Sequence, residues 1–162
     1  MIEQKESRDE KSVLIEELGR GLVRWQDATQ RYDEAVGEIY GLNATERLCL
    51  SFLWLGPQTA SAIARHTRLT PAAVTALIDR LEERGFVRRL SDPRDRRKVL
   101  VEQAEAARKV TAEAYEPLGE LGAKALAKYS LDELKVVKSV LEDSLALQED
   151  MTQRLLARHG RT

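Results

Sequence analysis

The sequence has few residues of the types that build disulfides and metal sites. It contains one cysteine, Cys49, and two histidines, His66 and His159, among its 162 residues. A single cysteine excludes an intramolecular disulfide and is typical of proteins in a reducing compartment. Cys49 is close to neither histidine in the sequence, so metal-ligand spacing is missing and we expect no metal. Because Cys49 lies among apolar residues, we interpret it as a small core residue and not as a thiol sensor.

Motifs for catalysis and targeting are also missing. The chain has no glycine-rich phosphate loop, and no Ser-His-Asp or Cys-His pair with supporting context, so we expect neither an enzyme nor a cofactor. The first residues, MIEQKESRDEK, lack the apolar core of a signal peptide. No apolar run approaches the length of a membrane span. These absences predict a cytoplasmic protein with no membrane partner.

Positive charge is concentrated in one part of the chain. Between Pro57 and Val101, ten Lys and Arg residues stand against five Asp and Glu residues, a net charge of +5. The whole chain carries only −1. A basic segment in a near-neutral protein is typical of a DNA-binding module joined to helices with another task.

Apolar residues recur at helical spacing before the basic segment. They predict one long helix over residues 12–40 and a second helix that follows Gly41. Asn43 and Glu46 form the pattern of a capping box at the start of the second helix. That helix should end at Gly56 and Pro57. We expect residues 1–11 to be disordered.

The basic segment itself predicts two short helices and a β-hairpin. Thr59 or Ser61 opens the first helix. Thr70 at the N-cap and Pro71 at the first helical position mark the start of the second helix, and Gly85 ends it. Two β-rich runs on either side of a Ser-Asp-Pro-Arg-Asp turn then predict a hairpin. This order is the layout of a winged helix-turn-helix with a two-stranded wing.

Helical spacing returns after the hairpin and continues towards the C-terminus. Pro117 should kink the first of these helices or break it in two. Ser130 and Glu133 form a capping box at the start of the last helix. This last helix has an apolar seam suited to packing against a partner, made by Leu134, Val137, Leu141 and Leu145.

These elements predict a mainly α fold with a minor β component and three regions. A dimerisation helix occupies residues 12–40, and the winged helix-turn-helix domain occupies residues 41–102. Residues 103–162 form C-terminal dimerisation helices. Apolar stripes at both ends predict a homodimer, because a monomer of this length could not cover them.

The motifs together resemble the MarR family of bacterial transcriptional regulators. The resemblance covers residues 41–101, and the flanking helices agree only in number and length. The matching residues are Leu42, Asn43, Glu46, stretches 63–70 and 74–82, the run R-G-F-V at 84–87 and the run D-P-R-D-R-R at 92–97. The resemblance implies an obligate homodimer, in which helices from both chain ends interlock. Its two winged lobes would bind a pseudo-palindromic DNA operator.

The chain departs from the family pattern after the wing. Where the family usually has Leu-Thr and a later Gly, this chain has Gln103, Ala104 and Ala107. The threonine would cap the next helix. Ala104 therefore weakens that helix start by about 0.5–2 kcal/mol unless another group replaces the cap.

The helix that starts at Pro71 is expected to enter the major groove. Its outward face is made by Ala72, Thr75, Ala76 and Asp79, with Arg80 at its edge. Thr70 and Pro71, at the start of the helix, are further candidate DNA contacts. Since the threonines are the main hydrogen-bonding groups there, specificity can depend on DNA shape and on the wing. A surface that merely tolerates alanine is an equal alternative for Ala72 and Ala76. We expect phosphate contacts from Arg65, Arg68 and Arg80.

The turn of the hairpin carries a second group of candidate DNA contacts. Arg94, Arg96 and Arg97 lie in a tight turn, and arginines in such turns suit a narrow minor groove. The resemblance implies that Asp95 pairs with Arg97 and orients it for the groove. A solvated loop is the alternative interpretation. Two further arginines, Arg88 and Arg89, can brace the wing instead.

Most aromatic residues fall on the first two helices. We favour packing in the core and the dimer as their role. The resemblance implies the alternative that Trp25, Tyr40, Phe52 and Trp54 line a pocket for a small aromatic or phenolic ligand. From the winged helix-turn-helix and the family resemblance together, we expect a homodimeric repressor released by a small molecule. The alternatives are a ligand-independent or architectural DNA-binding protein and, more distantly, a helical scaffold.

Overall fold

The computed structural model describes residues 2–91 and 98–160, which form seven α-helices and three β-strands. The helices are α1 (Ile2–Tyr40), α2 (Ala44–Trp54), α3 (Ala60–Thr67), α4 (Pro71–Glu83), α5 (Glu105–Val110), α6 (Glu116–Leu126) and α7 (Leu131–Arg158). The strands are β1 (Gln58–Thr59), β2 (Val87–Ser91) and β3 (Val99–Gln103). A π-helical segment, Thr111–Tyr115, joins α5 to α6. The predicted mainly α fold is confirmed.

Helix α1 is longer than the sequence predicts. It contains 39 residues, a length of about 58 Å at the α-helical rise. Its backbone is helical from Ile2, whereas the sequence predicts that the helix begins at residue 12. The segment is rich in Glu, Gln, Lys and Arg, which lose little side-chain freedom in a helix, so nothing ends the helix at residue 12. No described helix combines the length and the apolar character needed to cross a membrane.

Four predicted helix starts carry the expected capping bonds. The side-chain oxygens of Asn43, Thr59, Thr70 and Ser130 each accept a hydrogen bond from the backbone N–H three residues on. Thr59, and not Ser61, is therefore the cap of α3. At Asn43 and Ser130 a glutamate returns the bond to the cap backbone, so both predicted capping boxes are confirmed.

The end of α4 also provides the start of α5. Gly85 adopts a φ of +72°, and Phe86 N–H donates to Leu81 O at 2.8 Å, which closes α4 as a Schellman motif. Ala104 makes no side-chain cap, as its sequence predicts. The carbonyl of Gly85 replaces that cap, because it accepts the N–H of Ala106 at 3.1 Å.

The sheet has three strands in the order β1-β3-β2, where the sequence predicts a two-stranded wing. The predicted hairpin is present as antiparallel β2 and β3. The additional strand, β1, pairs Gln58 with Val101 and Thr59 with Leu100. Two residues are too few to show a strand period, and Thr59 also has the signal of a helix cap. For these reasons sequence reasoning missed β1.

The chain divides into two compact units, Met1–Ala114 and Tyr115–Thr162. The first unit contains the described hydrophobic core, with Ile63, Val74, Leu77, Ile78, Leu81, Val87 and Val101 almost fully buried. Helix α5 adds Ala107 and Val110 to this core, although the sequence groups residues 103–162 together. In the second unit, none of the residues described, 115–160, is buried.

The helix that Pro117 is predicted to kink or break is interrupted beside this residue by a π-helical segment. Pro117 lies in the first turn of α6, directly after the π-helical segment. A proline has no N–H for the carbonyl four residues earlier and its ring crowds that carbonyl, so a regular α-helix cannot pass through it unchanged. Two tyrosines of α1 contact this segment: Tyr32 Oη donates to Ala114 O at 2.5 Å and Tyr40 Oη to Glu113 Oε2 at 2.8 Å.

Candidate nucleic-acid interface

Helices α3 and α4 form a helix-turn-helix whose turn is tightly held. The turn begins at Arg68, whose φ of 56° makes it the sole non-glycine residue with positive φ among those described. Arg68 and Leu69 both donate backbone N–H bonds to Ala64 O, and Thr70 then caps α4. A left-handed arginine costs about 1–2 kcal/mol relative to the right-handed form, so the surrounding bonds must compensate for it. The side chains of Arg65 and Arg68 are exposed beside this turn.

The predicted reading face of α4 is exposed to solvent. Val74, Leu77, Ile78 and Leu81 are buried on one side. The opposite side exposes Thr70, Pro71, Ala72, Thr75 and Ala76. Within α4, Thr75 donates its hydroxyl proton to Pro71 O at 3.1 Å. In this rotamer the hydroxyl proton is already used, so the Thr75 oxygen can mainly accept a hydrogen bond from a ligand.

Arg80 lies at the edge of this face and pairs with a buried carboxylate. Its Nε donates to Oε1 of Glu46 at 2.9 Å, while its side chain is 51% exposed. Glu46 itself is 2% exposed and also lies 3.5 Å from Arg84 Nη1. Burial raises the pKa of Glu46, but the Asn43 backbone N–H and the two guanidiniums outweigh burial and hold the pKa below its usual value. Glu46 is therefore an anion at neutral pH.

The arginines at the base of the wing are braced against neighbouring acids. Arg89 contacts both Asp79 and Glu82 of α4, with its Nη2 2.5 Å from Asp79 Oδ1. Hydrogen bonding to Asp79 raises the pKa of Arg89. Across the hairpin, Arg88 Nε donates to Glu102 Oε1 at 2.5 Å. These bonds agree with the bracing role that the sequence suggested for Arg88 and Arg89.

The tip of the wing lies outside the described residues. The last described pair of the hairpin is Ser91 with Val99. The predicted minor-groove residues lie between them in the sequence and remain predictions: Arg94, Asp95, Arg96 and Arg97. Over residues 2–91 and 98–160, no group of three or more His, Cys, Asp or Glu is arranged to hold a metal ion.

Comparisons with known proteins identify the family. The model of the MarR family matches residues 42–99. An uncharacterized HTH-type transcriptional regulator of Bacillus subtilis strain 168, YcgE, is 32% identical over 128 residues, which span 78% of this chain and 83% of that protein. This chain belongs to the MarR family.

Solved MarR structures share its fold. A MarR-like transcriptional regulator of Thermotoga maritima is 27% identical, with a TM-score of 0.58 over 77% of this chain and 92% of that one. A MarR family protein of Bacillus stearothermophilus is 25% identical, with a TM-score of 0.57 over 82% and 92%. MarR proteins are DNA-binding regulators of transcription. The chain is accordingly a helix-turn-helix transcriptional regulator and not an enzyme.

Two of the aromatic residues proposed as a MarR ligand pocket, Trp25 and Tyr40, lie far apart within one chain. Trp25 and Tyr40 are separated by 15 residues of α1, about 22 Å along the helix axis. Trp25 and Trp54 are 60% and 68% exposed. Phe52 stacks on the His66 ring at a centroid distance of 4.2 Å, and Tyr40 donates to Glu113, a bond that raises the pKa of Tyr40.

Sequence reasoning missed the role of Glu46 beyond its capping box. Its partners Arg80 and Arg84 lie 34 and 38 residues later in the chain, and no local pattern links them. The available signal was weak: an arginine pair one helical turn apart on α4, at the edge of its apolar face.

Proposed function

We propose that this MarR protein is a homodimeric repressor that binds a pseudo-palindromic operator and is released by a small molecule. The observation that carries the dimer is the exposed apolar surface of α1, α6 and α7. Leu18, Leu121 and Leu145 are 58%, 64% and 67% exposed. Apolar surface on this scale marks an interaction site in a stable protein. A second copy of the chain supplies matching helices by symmetry.

The predicted seam of α7 is the part of this surface that an experiment can address most directly. Val137, Leu141 and Leu145 are 43%, 40% and 67% exposed and recur at helical spacing. They therefore face the same side of α7, and none of the three is buried. Packing this side against a partner would bury side chains that water now surrounds.

Sedimentation of the full chain tests the dimer. We expect the wild type to sediment as a dimer at micromolar concentration, and Leu141→Glu with Leu145→Glu to abolish that dimer. Ser139→Glu adds one glutamate on the opposite, polar side of α7 and should remain dimeric. A folded wild-type monomer at micromolar concentration would overturn the proposal, since an obligate dimer has no stable monomer.

DNA recognition by the two lobes is proposed from the exposed α4 face and the local charge. The segment from Pro57 to Val101 carries a net +5. We propose that Thr70, Pro71, Ala72, Thr75 and Ala76 face the major groove, and that Arg65, Arg68 and Arg80 contact phosphates. Arg94, Arg96 and Arg97 would enter the minor groove, with Asp95 orienting Arg97.

The wing is tested by substitutions that leave the core untouched. We expect Arg97→Ala and Asp95→Ala each to weaken operator binding in a folded dimer. The double variant should be little worse than Arg97→Ala, because no arginine remains for Asp95 to orient. Arg68→Ala should weaken operator and random DNA alike and lower the salt slope by about one. Unchanged operator affinity of Arg97→Ala would favour a solvated loop.

Release by a small molecule is the part of the proposal that concerns the aromatics. Trp25 and Trp54 have exposed rings that an aromatic compound can cover. A panel of simple phenols and benzoates should lower operator affinity and change tryptophan fluorescence, and Trp25→Phe or Trp54→Phe should reduce one effect or both. The separation of Trp25 from Tyr40 within one chain favours the alternative, a ligand-independent DNA-binding protein. Operator affinity insensitive to every compound would support that alternative.

A further inference from the structure

Glu46 is the one buried charged residue in the described part of the chain. It lies where the end of α1, the start of α2 and the second half of α4 meet. A buried carboxylate destabilises the folded state unless its oxygens are hydrogen-bonded and its charge is paired. Both oxygens of Glu46 have such partners. Oε2 accepts the Asn43 N–H at 2.9 Å, and Oε1 accepts Arg80 Nε at 2.9 Å.

A capping role alone does not explain these contacts. A capping glutamate needs one oxygen for the cap backbone, and glutamine performs the same task. The capping residue Glu133 of α7 does so while exposed to solvent. The second oxygen of Glu46 instead accepts a hydrogen bond from Arg80 of the reading helix, which indicates a function beyond the cap.

The bond to Arg80 holds that arginine in one direction at the edge of the reading face. Arg80 is four residues after Ala76, so the two side chains are neighbours on the outer side of α4. Since the bond uses Nε, the inner part of the guanidinium is held while half of the side chain is in contact with solvent. A guanidinium oriented in this way loses little freedom when it binds a phosphate.

Arg84 extends the same cluster to α1. Its Nη2 donates to the carbonyls of Tyr40 at 3.2 Å and Gly41 at 2.9 Å, the last turn of α1 and the residue after it. Its guanidinium also lies 4.9 Å from the centre of the Phe86 ring. The carboxylate of Glu46 therefore contacts both Arg80, at the edge of the reading face, and Arg84, which binds the end of α1.

We propose that Glu46 is a positioning residue for DNA binding, which orients Arg80 towards the DNA backbone and, through Arg84, holds the end of α4 against the end of α1. The proposal rests on the proposed function, because it requires the Arg80 edge of α4 to face DNA. Glu46 itself touches no DNA in this arrangement.

The first experiment is Glu46→Gln in the full chain, because glutamine keeps the volume and the capping bond and removes the charge. Operator affinity should fall roughly tenfold, whereas affinity for random DNA should change by less than about twofold, since every lysine and arginine is retained. Glu83→Gln removes the same charge from an exposed position of α4 and should leave operator binding unchanged.

A double-mutant cycle with Arg80→Met separates positioning from structural support. We expect Arg80→Met to weaken operator binding, and Glu46→Gln to add little in the Arg80→Met background. An equal loss from Glu46→Gln with and without Arg80 would overturn the proposal. Unchanged operator affinity of Arg80→Met would overturn it as well. The proposed function has its own readout, because a wild type that does not bind a palindromic site would contradict it whatever the variants do.

Arg80→Lys keeps the test decisive if Glu46→Gln does not fold. Lysine retains the charge but lacks the fork that can bond Glu46 and a phosphate together. Its operator affinity should fall while its affinity for random DNA is unchanged. Wild-type operator affinity in Arg80→Lys would contradict the proposal.

Discussion

At the residue scale, a buried carboxylate and a buried thiol have opposite charge states at neutral pH. Glu46 stays ionised because the Asn43 N–H and two guanidiniums compensate its burial. Cys49 has no such compensation, and burial raises the pKa of its thiol to about 11. The difference follows from the groups around each residue and not from burial itself, because both are nearly inaccessible to water.

The protonated state of Cys49 predicts an unreactive thiol. The thiolate is the reactive form, so native protein at pH 7.5 should not react with iodoacetamide, and unfolding should expose one reactive thiol. Ser51→Cys places a thiol on an exposed position of the same helix and should react in the native state. Mass spectrometry of the alkylated protein measures both. A native Cys49 that reacts as fast as the Ser51→Cys thiol would contradict the expected burial.

The charge of Glu46 predicts a pH dependence of folding. Its native pKa lies below 4.5, so the unfolded state binds more protons near that pH. The stabilisation by the charge is therefore complete above about pH 4.5 and is lost as the pH falls through the native pKa. Urea unfolding at fixed protein concentration should show a wild-type advantage over Glu46→Gln at pH 7 that shrinks below pH 4.5. A difference that does not vary with pH would contradict this assignment.

At the element scale, local signals determined most of what the sequence could predict. A helix cap depends on a bond between residues three apart, so a local pattern in the sequence predicts it. This applies to the caps at Asn43, Thr59, Thr70 and Ser130. Pro117 acts on its own helix in the same local way.

Contacts between segments that are distant in the chain could not be predicted from the sequence. Strand β1 exists because β3 is next to it, and the α5 cap is a carbonyl 21 residues away at Gly85. The arginine partners of Glu46 and the tyrosine contacts with residues 113–114 are of the same kind. These features depend on how helices pack, which periodicity within one element does not encode.

The cap of the reading helix gives a prediction at this scale. Thr70→Ala removes the oxygen that accepts the Ala73 N–H and should lower the free energy of unfolding by about 0.5–2 kcal/mol. Thr75→Ala removes the same group from the same face. Its hydroxyl donates to the helix carbonyl of Pro71, a bond that adds little to a helix, so the change should stay within about 0.5 kcal/mol. Denaturant titrations at one protein concentration compare them. Equal losses in the two variants would contradict the capping role.

At the scale of the whole molecule, the two compact units differ in what they bury. The unit Met1–Ala114 contains a described core, whereas in Tyr115–Thr162 no described residue is buried. Helices α6 and α7 carry exposed leucines that need a covering surface. In a MarR protein with a basic winged lobe, we propose that a second chain provides this surface, and the resulting symmetry determines how DNA is read.

Selection of bound duplexes from random DNA tests this account most directly. A two-fold dimer with one reading helix per lobe should enrich inverted repeats whose half-site centres are about 10 bp apart. Binding to the selected sites should also weaken steeply with salt, because the basic lobes neutralise phosphates. The account predicts such a palindrome with two chains per duplex. Enrichment of a single unsymmetrical half-site bound by one chain would contradict it.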